Sequence, residues 1–555
     1  MIKVKNLSIA FGEQVVVNDV TFSIEDNRIL GLVGESGSGK SITALTIMGL
    51  LSEHATILHG SVEVDGTVIV SQDGENHDSR LNYVNSRELK KLQGKVMSMI
   101  FQEPMTSLNP TLKIGRQVEE ILKIHTSMDA DDRKKLVLET LESVGLTDAK
   151  RVYESYPHEL SGGMRQRAMI AMAIILKPKI LIADEPTTAL DVTIQAQICE
   201  LLKNISTENK MSVLFITHDL NLARQFCHQI IVMNQGDLVE SGESEEIFAR
   251  PVQEYTKKLI GAIPSRTKRK VAQVRTNDSS ENLSDLKVNE SETVQAQSVL
   301  AQPLQAQSTQ TPEKEENILE VQGLNVFYQE KNNHIFKKKA RKQVVFDASF
   351  SIRPGEIMGL VGESGCGKSS LSKAILGMND QIAGEIRHFS DRPQMIFQDP
   401  YSSLNPSKTI GWILEEPLRT AGGLSNSQLK EAAVAMLKKV GLDEHFYGRK
   451  PGELSGGQRQ RISIGQALIA RPKFVIADEP VSALDVTIQA QIMDLMCNLQ
   501  QEMNLAYLFI SHDINVIYQM CDRLMVMKEG RIIEAGETTQ IFDDPHDPYT
   551  KMLLQ

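Results

Sequence analysis

Five segments in the first half of the chain return, in the same order, in the second. GESGSGKS at Gly34–Ser41 reappears as GESGCGKS at Gly362–Ser369, and IFQEPMTSLNP at Ile100–Pro110 as IFQDPYSSLNP at Ile396–Pro406. LSGGMRQR at Leu160–Arg167 becomes LSGGQRQR at Leu454–Arg461, and ADEPTTALDVTIQAQI at Ala183–Ile198 becomes ADEPVSALDVTIQAQI at Ala477–Ile492. FITHD at Phe215–Asp219 becomes FISHD at Phe509–Asp513. A chain with this self-similarity folds as two like units, not as one. The offset is 328 at the first segment (362 − 34), 296 at the second (396 − 100) and 294 afterwards (454 − 160). The first copy therefore carries about 32 additional residues (328 − 296) around Asp65–Lys95, expected to form an extra hairpin and loop.

Between the copies lies a segment of another character. Residues 265–316, 52 in number (316 − 265 + 1), are rich in Gln, Ser, Thr, Asn and Glu, and no aromatic occurs from Thr256 to Val326. Such a stretch cannot bury enough apolar surface to offset the entropy of ordering it. It reads as a flexible tether with a typical span on the order of 40 Å. The expected units are then 1–264 and 317–555, free to face each other as an intramolecular pseudo-dimer.

Composition narrows the class. With 60 basic against 71 acidic side chains, the net charge is −11, which argues against a dedicated nucleic-acid binder. Five cysteines form no CxxC pair, so neither zinc nor disulfides are expected, and a reduced compartment is the simplest setting. The N-terminus has no apolar signal region. The longest apolar run, Ala168–Leu176, is nine residues, about half of a membrane span. Were the protein to work at a membrane, another chain would supply the spans.

The runs Ile29–Val33, Ile180–Asp184 and Val213–Thr217 are short, β-branched and nearly continuous in apolar residues, and they alternate with helical stretches. That pattern predicts an α/β fold with a parallel sheet, whose ligands sit at the carboxyl ends of the strands. Each of the three runs leads directly into a segment of the repeat.

Gly34, Glu35, Ser36, Gly37, Ser38, Gly39, Lys40 and Ser41 match the phosphate-binding pattern G-x-x-x-x-G-K-[ST]. Glycines let the backbone curl so that N–H groups converge on phosphate oxygens, and the following helix adds its positive end. Lys40 would neutralise the β- and γ-phosphates of ATP, and the Ser41 hydroxyl would bind Mg²⁺. Gly362, Glu363, Ser364, Gly365, Cys366, Gly367, Lys368 and Ser369 repeat the set. Asp184 and Asp478, at strand ends, are expected Mg²⁺ partners; Glu185 and Glu479 beside them are expected general bases that align the attacking water. His218 and His512 are candidates for a γ-phosphate contact. Gln102 and Gln398 are candidates for contact with both Mg²⁺ and the water. Because both copies keep the Glu, two hydrolytic sites are expected.

These residues together resemble the ATP-binding cassette (ABC) ATPases, over nearly the whole chain outside the tether. The resemblance implies two P-loop NTPase domains, each with a mixed or parallel sheet core, an antiparallel β subdomain and a helical subdomain. LSGGMRQR and LSGGQRQR look like that family's signature, which caps the ATP held by the opposite domain. Ser455, Gly456 and Gly457 would then close the site of Lys40, and Ser161, Gly162 and Gly163 that of Lys368. Asp191 and Asp485 would lie at the crossing between domains. Phe11 and Tyr328 are the implied adenine-stacking aromatics. The segments EPMTSLNP and DPYSSLNP, and the closing Tyr255-Thr-Lys-Lys and Pro548-Tyr-Thr-Lys, resemble the dipeptide and oligopeptide importer ATPases. The fused layout is similar to the peptide and microcin C or glutathione uptake ATPases of bacteria.

By that resemblance the partners are two transmembrane permease subunits and an extracytoplasmic solute-binding protein. The chain itself would lie peripherally on the cytoplasmic face of the bacterial inner membrane. Many relatives in that family carry a cysteine cluster after the core; its lack here implies no iron–sulfur centre. Nickel import shares the LNP segments, and a soluble tandem ATPase acting on ribosomes or DNA is the alternative of another class. The polar tether and the lack of zinc spacing stand against the latter. The basic run Lys337–Lys342 reads as a solvated loop, or else as a contact for anionic lipid or a partner. Cys366 is small enough for its loop position, and Lys368 with nearby N–H groups would lower its pKa, making the second site sensitive to alkylation.

Overall fold

The computed structural model describes residues 1–72, 86–188, 190, 192–264, 317–329, 341–363, 365–390, 393–482 and 484–554. The first copy opens with β1 (Ile2–Phe11) and β2 (Gln14–Ile24), followed by β3 (Ile29–Val33), β4 (Ala55–Val64) and β5 (Thr67–Gln72). Then come β6 (Met97–Ile100), β7 (Ile180–Asp184), β8 (Ser212–Thr217), β9 (Gln229–Asn234) and β10 (Asp237–Glu243). They form two sheets, β2-β1-β4-β5 and β10-β9-β3-β8-β7-β6. The first sheet is antiparallel throughout. In the second, β9, β3, β8, β7 and β6 run parallel and only the edge strand β10 runs against them.

Side-chain alternation explains the difference. Along β2, Val20, Phe22 and Ile24 are buried while Asp19, Thr21 and Ser23 are exposed, the pattern of a strand with one wet face. In β3, β7 and β8 every residue is buried. Their alternate side chains enter two different cores. Leu181, Ala183, Val213 and Phe215 join helix residues such as Val118, Leu141 and Ile170. Ile180, Ile182, Leu214 and Ile216 join Ile2, Val4 and Ile9 of the antiparallel sheet. A strand covered on both faces has to be apolar along its length, and these are, with polar residues only at the ends: Asp184 closing β7, and Ser212 and Thr217 bounding β8.

The second copy repeats the plan. It uses β11 (Leu319–Gln329), β12 (Arg341–Ile352), β13 (Ile357–Val361), β14 (Ile382–His388), β15 (Gln394–Ile396), β16 (Phe474–Asp478), β17 (Ala506–Ile510), β18 (Arg523–Lys528) and β19 (Arg531–Glu537). These make the sheets β12-β11-β14 and β15-β16-β17-β13-β18-β19. The additional strand of the first copy is β5, joined to β4 through Asp65 and Gly66, whose φ values of 48° and 81° suit a tight two-residue hairpin. The expected hairpin is thus present, but a loop is not all that follows. Ser86–Leu92 is a helix whose Leu89 and Leu92 enter the inter-sheet core, which gives an exposed-looking insert an apolar anchor. The tether and the run Lys337–Ala340 lie outside the described residues.

Cys227 and Cys521 are both buried, and none of the five cysteines is in a disulfide. Each packs on a glycine of the central strand: a Cβ on Gly31 would meet Cys227 Sγ at 2.8 Å, and one on Gly359 would meet Cys521 Sγ at 3.0 Å. Gly31→Ala should therefore overpack the core and lower unfolding stability by about 1–3 kcal/mol. Denaturant titration of Gly31→Ala, Cys227→Ala and the pair together checks this. The expected result is a double variant more stable than the sum of the single losses; strict additivity would contradict it.

Candidate nucleotide sites

The glycine loops sit where β3 and β13 end. Gly34 and Gly362 have φ of 151° and 153°, and a Cβ on either would lie within 2.2 Å of the carbonyl of Met233 or Met527. Only glycine lets the loop pass so close to the neighbouring strand. The far side is pinned as well: Gly236 N–H donates to Ser38 O at 3.2 Å, and Gly530 N–H to Cys366 O at 2.9 Å. Gly39 and Gly367, with φ of 98° and 114°, then turn the chain into helices beginning at Lys40 and Lys368.

Lys40 is 4% exposed, and its Nζ donates to Gly34 O at 2.8 Å, Glu35 O at 2.7 Å and Ser38 Oγ at 3.3 Å. Lys368 does the same to Gly362 O at 2.6 Å and Glu363 O at 3.0 Å. Burial pulls the Lys40 pKa down, against the pull of Glu185, Asp485 and Asp184. An ammonium held in carbonyl oxygens, with carboxylates around it, is poised to exchange those oxygens for phosphate.

The strand-end acids converge on the same place. Ser41 Oγ donates to Asp184 Oδ1 at 3.0 Å, and Ser369 bonds Asp478 in the second copy. Burial pushes Asp184 up to about 6, outweighing the Ser41 bond. Glu185 accepts Gln102 Nε2 at 2.8 Å and faces His218 Nδ1 at 3.1 Å; Glu479 accepts Gln398 Nε2 at 2.7 Å and faces His512 Nδ1 at 3.2 Å. For Glu185, burial opposes the charge, yet His218, Thr188 and Lys40 together outweigh it and hold the carboxyl down to about 2. Burial likewise opposes an imidazolium at His218, and Glu185 overrides it, raising the pKa.

Both glutamates stand in the left-handed region, at φ of 46° and 48°. For a non-glycine residue this conformation costs roughly 1–3 kcal/mol. Each is held there by its own N–H, which donates to Ile216 O at 2.9 Å or Ile510 O at 3.0 Å. A cleft of about 540 Å³ opens beside the first cluster, lined by Ser41, Gln102, Thr106 and Asp184 among others. Its hydroxyl, carboxylate and amide oxygens are the hard donors that suit Mg²⁺.

Other sequence candidates fall in separate places. Phe11 pairs with Gln14, and Tyr328, 39% exposed, pairs with Lys342. The offset 342 − 14 equals the 328 of the glycine loops, so Tyr328 occupies the structural position of Phe11 despite the longer connection that follows it. Ser161 and Ser455 cap their own helices, accepting from Met164 N and Gln458 N at 3.3 Å each, with Gly162, Gly163, Gly456 and Gly457 in the first turns. Among the described residues, no hydrogen bond joins either serine to a glycine loop. A contact between the copies does form elsewhere: Ser36 N–H donates to Asp485 Oδ1 at 2.8 Å, and the Thr487 hydroxyl donates to the Glu35 carboxylate. Asp191 and Ser364 lie outside the described residues.

Sequence reasoning missed Thr188, whose hydroxyl donates to Glu185 Oε2 at 2.9 Å. Ser482 stands at the equivalent place beside Glu479. A hydroxyl three residues after the Glu in both copies was the available signal.

A glycine loop on a parallel sheet, a buried lysine, and an Asp–Glu pair beside it define a P-loop ATPase, here present twice. The ABC transporter family matches residues 17–188 and again 345–482, and the chain belongs to that family, with two ABC ATPase domains that bind and hydrolyse ATP. The oligopeptide/dipeptide transporter C-terminal region matches residues 239–287 and 533–555. The chain is 39% identical, over its full length and 89% of the relative, to the glutathione import ATP-binding protein GsiA of Pectobacterium atrosepticum. It is 38% identical to the ABC transporter ATP-binding protein YejF of Escherichia coli, over its full length and 99% of the relative. A dimeric post-hydrolysis ATP-binding cassette bound to ADP and Pi is 30% identical, covering 44% of this chain and 99% of its own at TM-score 0.38.

Cys366 corrects an expectation. It is 8% exposed with Sγ 4.0 Å from Lys368 Nζ, and burial pushes the thiol pKa up, outweighing Lys368 and the backbone N–H groups. Less thiolate at neutral pH means slow reaction. In a mass-spectrometric time course with iodoacetamide at neutral pH, Cys366 should react more slowly than the less buried Cys497, leaving ATP binding at Lys368 intact. Rapid modification of Cys366 with loss of that binding would contradict the burial argument.

Proposed function

We propose that the chain is the ATP-hydrolysing subunit of an importer for peptides and peptide-like compounds, and that its two halves close on two shared nucleotides. The observation that carries the reading is the duplicated cluster of Lys, Ser–Asp and Gln–Glu–His at the ends of parallel strands, joined to the oligopeptide/dipeptide C-terminal region in each half. The domains are taken as 1–264 and 317–555 with 265–316 as the tether.

In each site the lysine releases its loop carbonyls and takes up phosphate oxygens. Ser41, Asp184 and Gln102, and likewise Ser369, Asp478 and Gln398, would hold Mg²⁺, which neutralises phosphate charge when bound. Glu185 and Glu479 orient the attacking water. A carboxylate held near 2 is a weak base, so it accepts the water's proton late, after the phosphoryl bond has loosened. Gln102 and His218 fix the Glu185 carboxylate from two sides, and His218, raised in pKa, can bring positive charge toward the γ-phosphate. Phe11 and Tyr328 stack on adenine. Ser455–Gly457 and Ser161–Gly163 complete the site of the opposite half; the Ser36–Asp485 and Glu35–Thr487 bonds support that apposition.

Among the described residues no helix is long and apolar enough to cross a membrane. The spans belong to two permease subunits, fed by an extracytoplasmic binding protein, with this chain peripheral on the cytoplasmic face. The glutathione importers among the relatives support a small-peptide cargo, since glutathione is itself a tripeptide.

Glu185→Gln combined with Glu479→Gln should lower ATP turnover by about 10²-fold or more while leaving ATP binding in place. Phosphate release and nucleotide binding on the purified chain measure both. Turnover near the parent rate would remove both glutamates from this role. Co-purification with no membrane protein would count against the importer assignment.

A further inference from the structure

The closing segments, Tyr255-Thr-Lys-Lys and Pro548-Tyr-Thr-Lys, have so far been given no task. Tyr549, 5% exposed, stands on the final helix Pro548–Leu554, and its hydroxyl accepts the Glu363 N–H at 3.1 Å. That N–H belongs to the same peptide group whose carbonyl, Gly362 O, receives Lys368 Nζ at 2.6 Å. Tyrosine and lysine therefore grip one peptide plane from opposite edges.

The tyrosine is itself firmly placed. Glu534 accepts the N–H groups of His546 at 2.8 Å and Asp547 at 3.2 Å, and Asp547 Oδ1 accepts the Tyr549 N–H at 2.7 Å. Lys528 Nζ lies over the ring, 4.8 Å from its centre. The first copy repeats the anchor, with Glu240 accepting Val252 N–H at 2.9 Å and Gln253 N–H at 3.1 Å. There Tyr255 turns its hydroxyl toward the Glu35 N–H without closing a hydrogen bond, and Lys40 holds Gly34 O.

We propose that these tyrosines, Tyr549 first, are positioning residues for ATP. By fixing the Gly362–Glu363 peptide, the hydroxyl keeps the loop in the shape that receives phosphate and holds Lys368 at its departure point. The closing segment thereby acts on the nucleotide site without touching the nucleotide. The inference rests on ATP binding at the glycine loops.

The test uses the full chain carrying Glu185→Gln, Glu479→Gln and Lys40→Ala, so that only the second loop binds, with Mg·mant-ATP as the probe. One hydrogen bond of preorganisation predicts a Kd raised ~3–10-fold by Tyr549→Phe. In the chain without the other substitutions, Tyr549→Phe should raise KM for ATP and leave kcat within about two-fold. Tyr549→Leu, which also loses the ring, should bind no better than the Phe variant. If Tyr549→Phe binds ATP as tightly as the parent and only Tyr549→Leu is impaired, the ring acts by packing and the proposal is overturned. If the Tyr549-intact parent binds no ATP, the glycine-loop assignment fails, and the tyrosine inference with it.

Discussion

An N–H of the first glycine loop is satisfied by a carboxylate 449 residues further along the chain, Ser36 to Asp485 at 2.8 Å. Much of the proposed mechanism depends on that bond. Asp485 is a half-buried acid whose pKa burial raises, while His218, the Ser36 N–H and Lys40 act in the other direction. A carboxylate drawn out of water in this way needs positive partners, and the first half supplies them. Lys40, Asp184, Glu185, His218 and Asp485 consequently form one electrostatic cluster to which both halves contribute.

Within each half the strain and the charge are arranged around the strand ends. Glu185 and Glu479 adopt a backbone conformation unfavourable for a residue with a Cβ, and the sheet enforces it through one N–H each. The result aims the carboxylate at Gln102 or Gln398 from one side and at a histidine from the other. Strain of this kind persists only where the surrounding core over-determines it. The two-faced burial of β7 and β16 provides that surround, with Leu181 and Val475 packing toward the helices and Ile182 and Ile476 toward the antiparallel sheet.

Much of this was legible before any coordinate. The repeat announced two units, the β-branched runs announced parallel strands, and the glycine loops named their own ligand class. Repetition turned single residues such as His218 and Gln102 into pairs, and pairs carry more information than a lone side chain. What stayed hidden depended on depth. The Cys366 thiol has a lysine neighbour in sequence, but its pKa follows burial, in a core shared with the distant Leu508, Met525 and Met527. The helix Ser86–Leu92 looks like a charged loop, because only Leu89 and Leu92 declare its buried side. The Tyr549 contact joins residues 186 apart, which no local pattern signals.

The proposal that each nucleotide is shared between halves can be tested by crossing substitutions. In the Glu185→Gln, Glu479→Gln chain, Lys40→Ala removes nucleotide from the first loop. Adding Ser455→Arg damages the same shared site, so one nucleotide per chain should survive gel filtration. Adding Ser161→Arg instead damages the other, and none should remain. The reverse pattern, one nucleotide kept with Ser161→Arg and none with Ser455→Arg, would mean that each half works alone and would contradict the account.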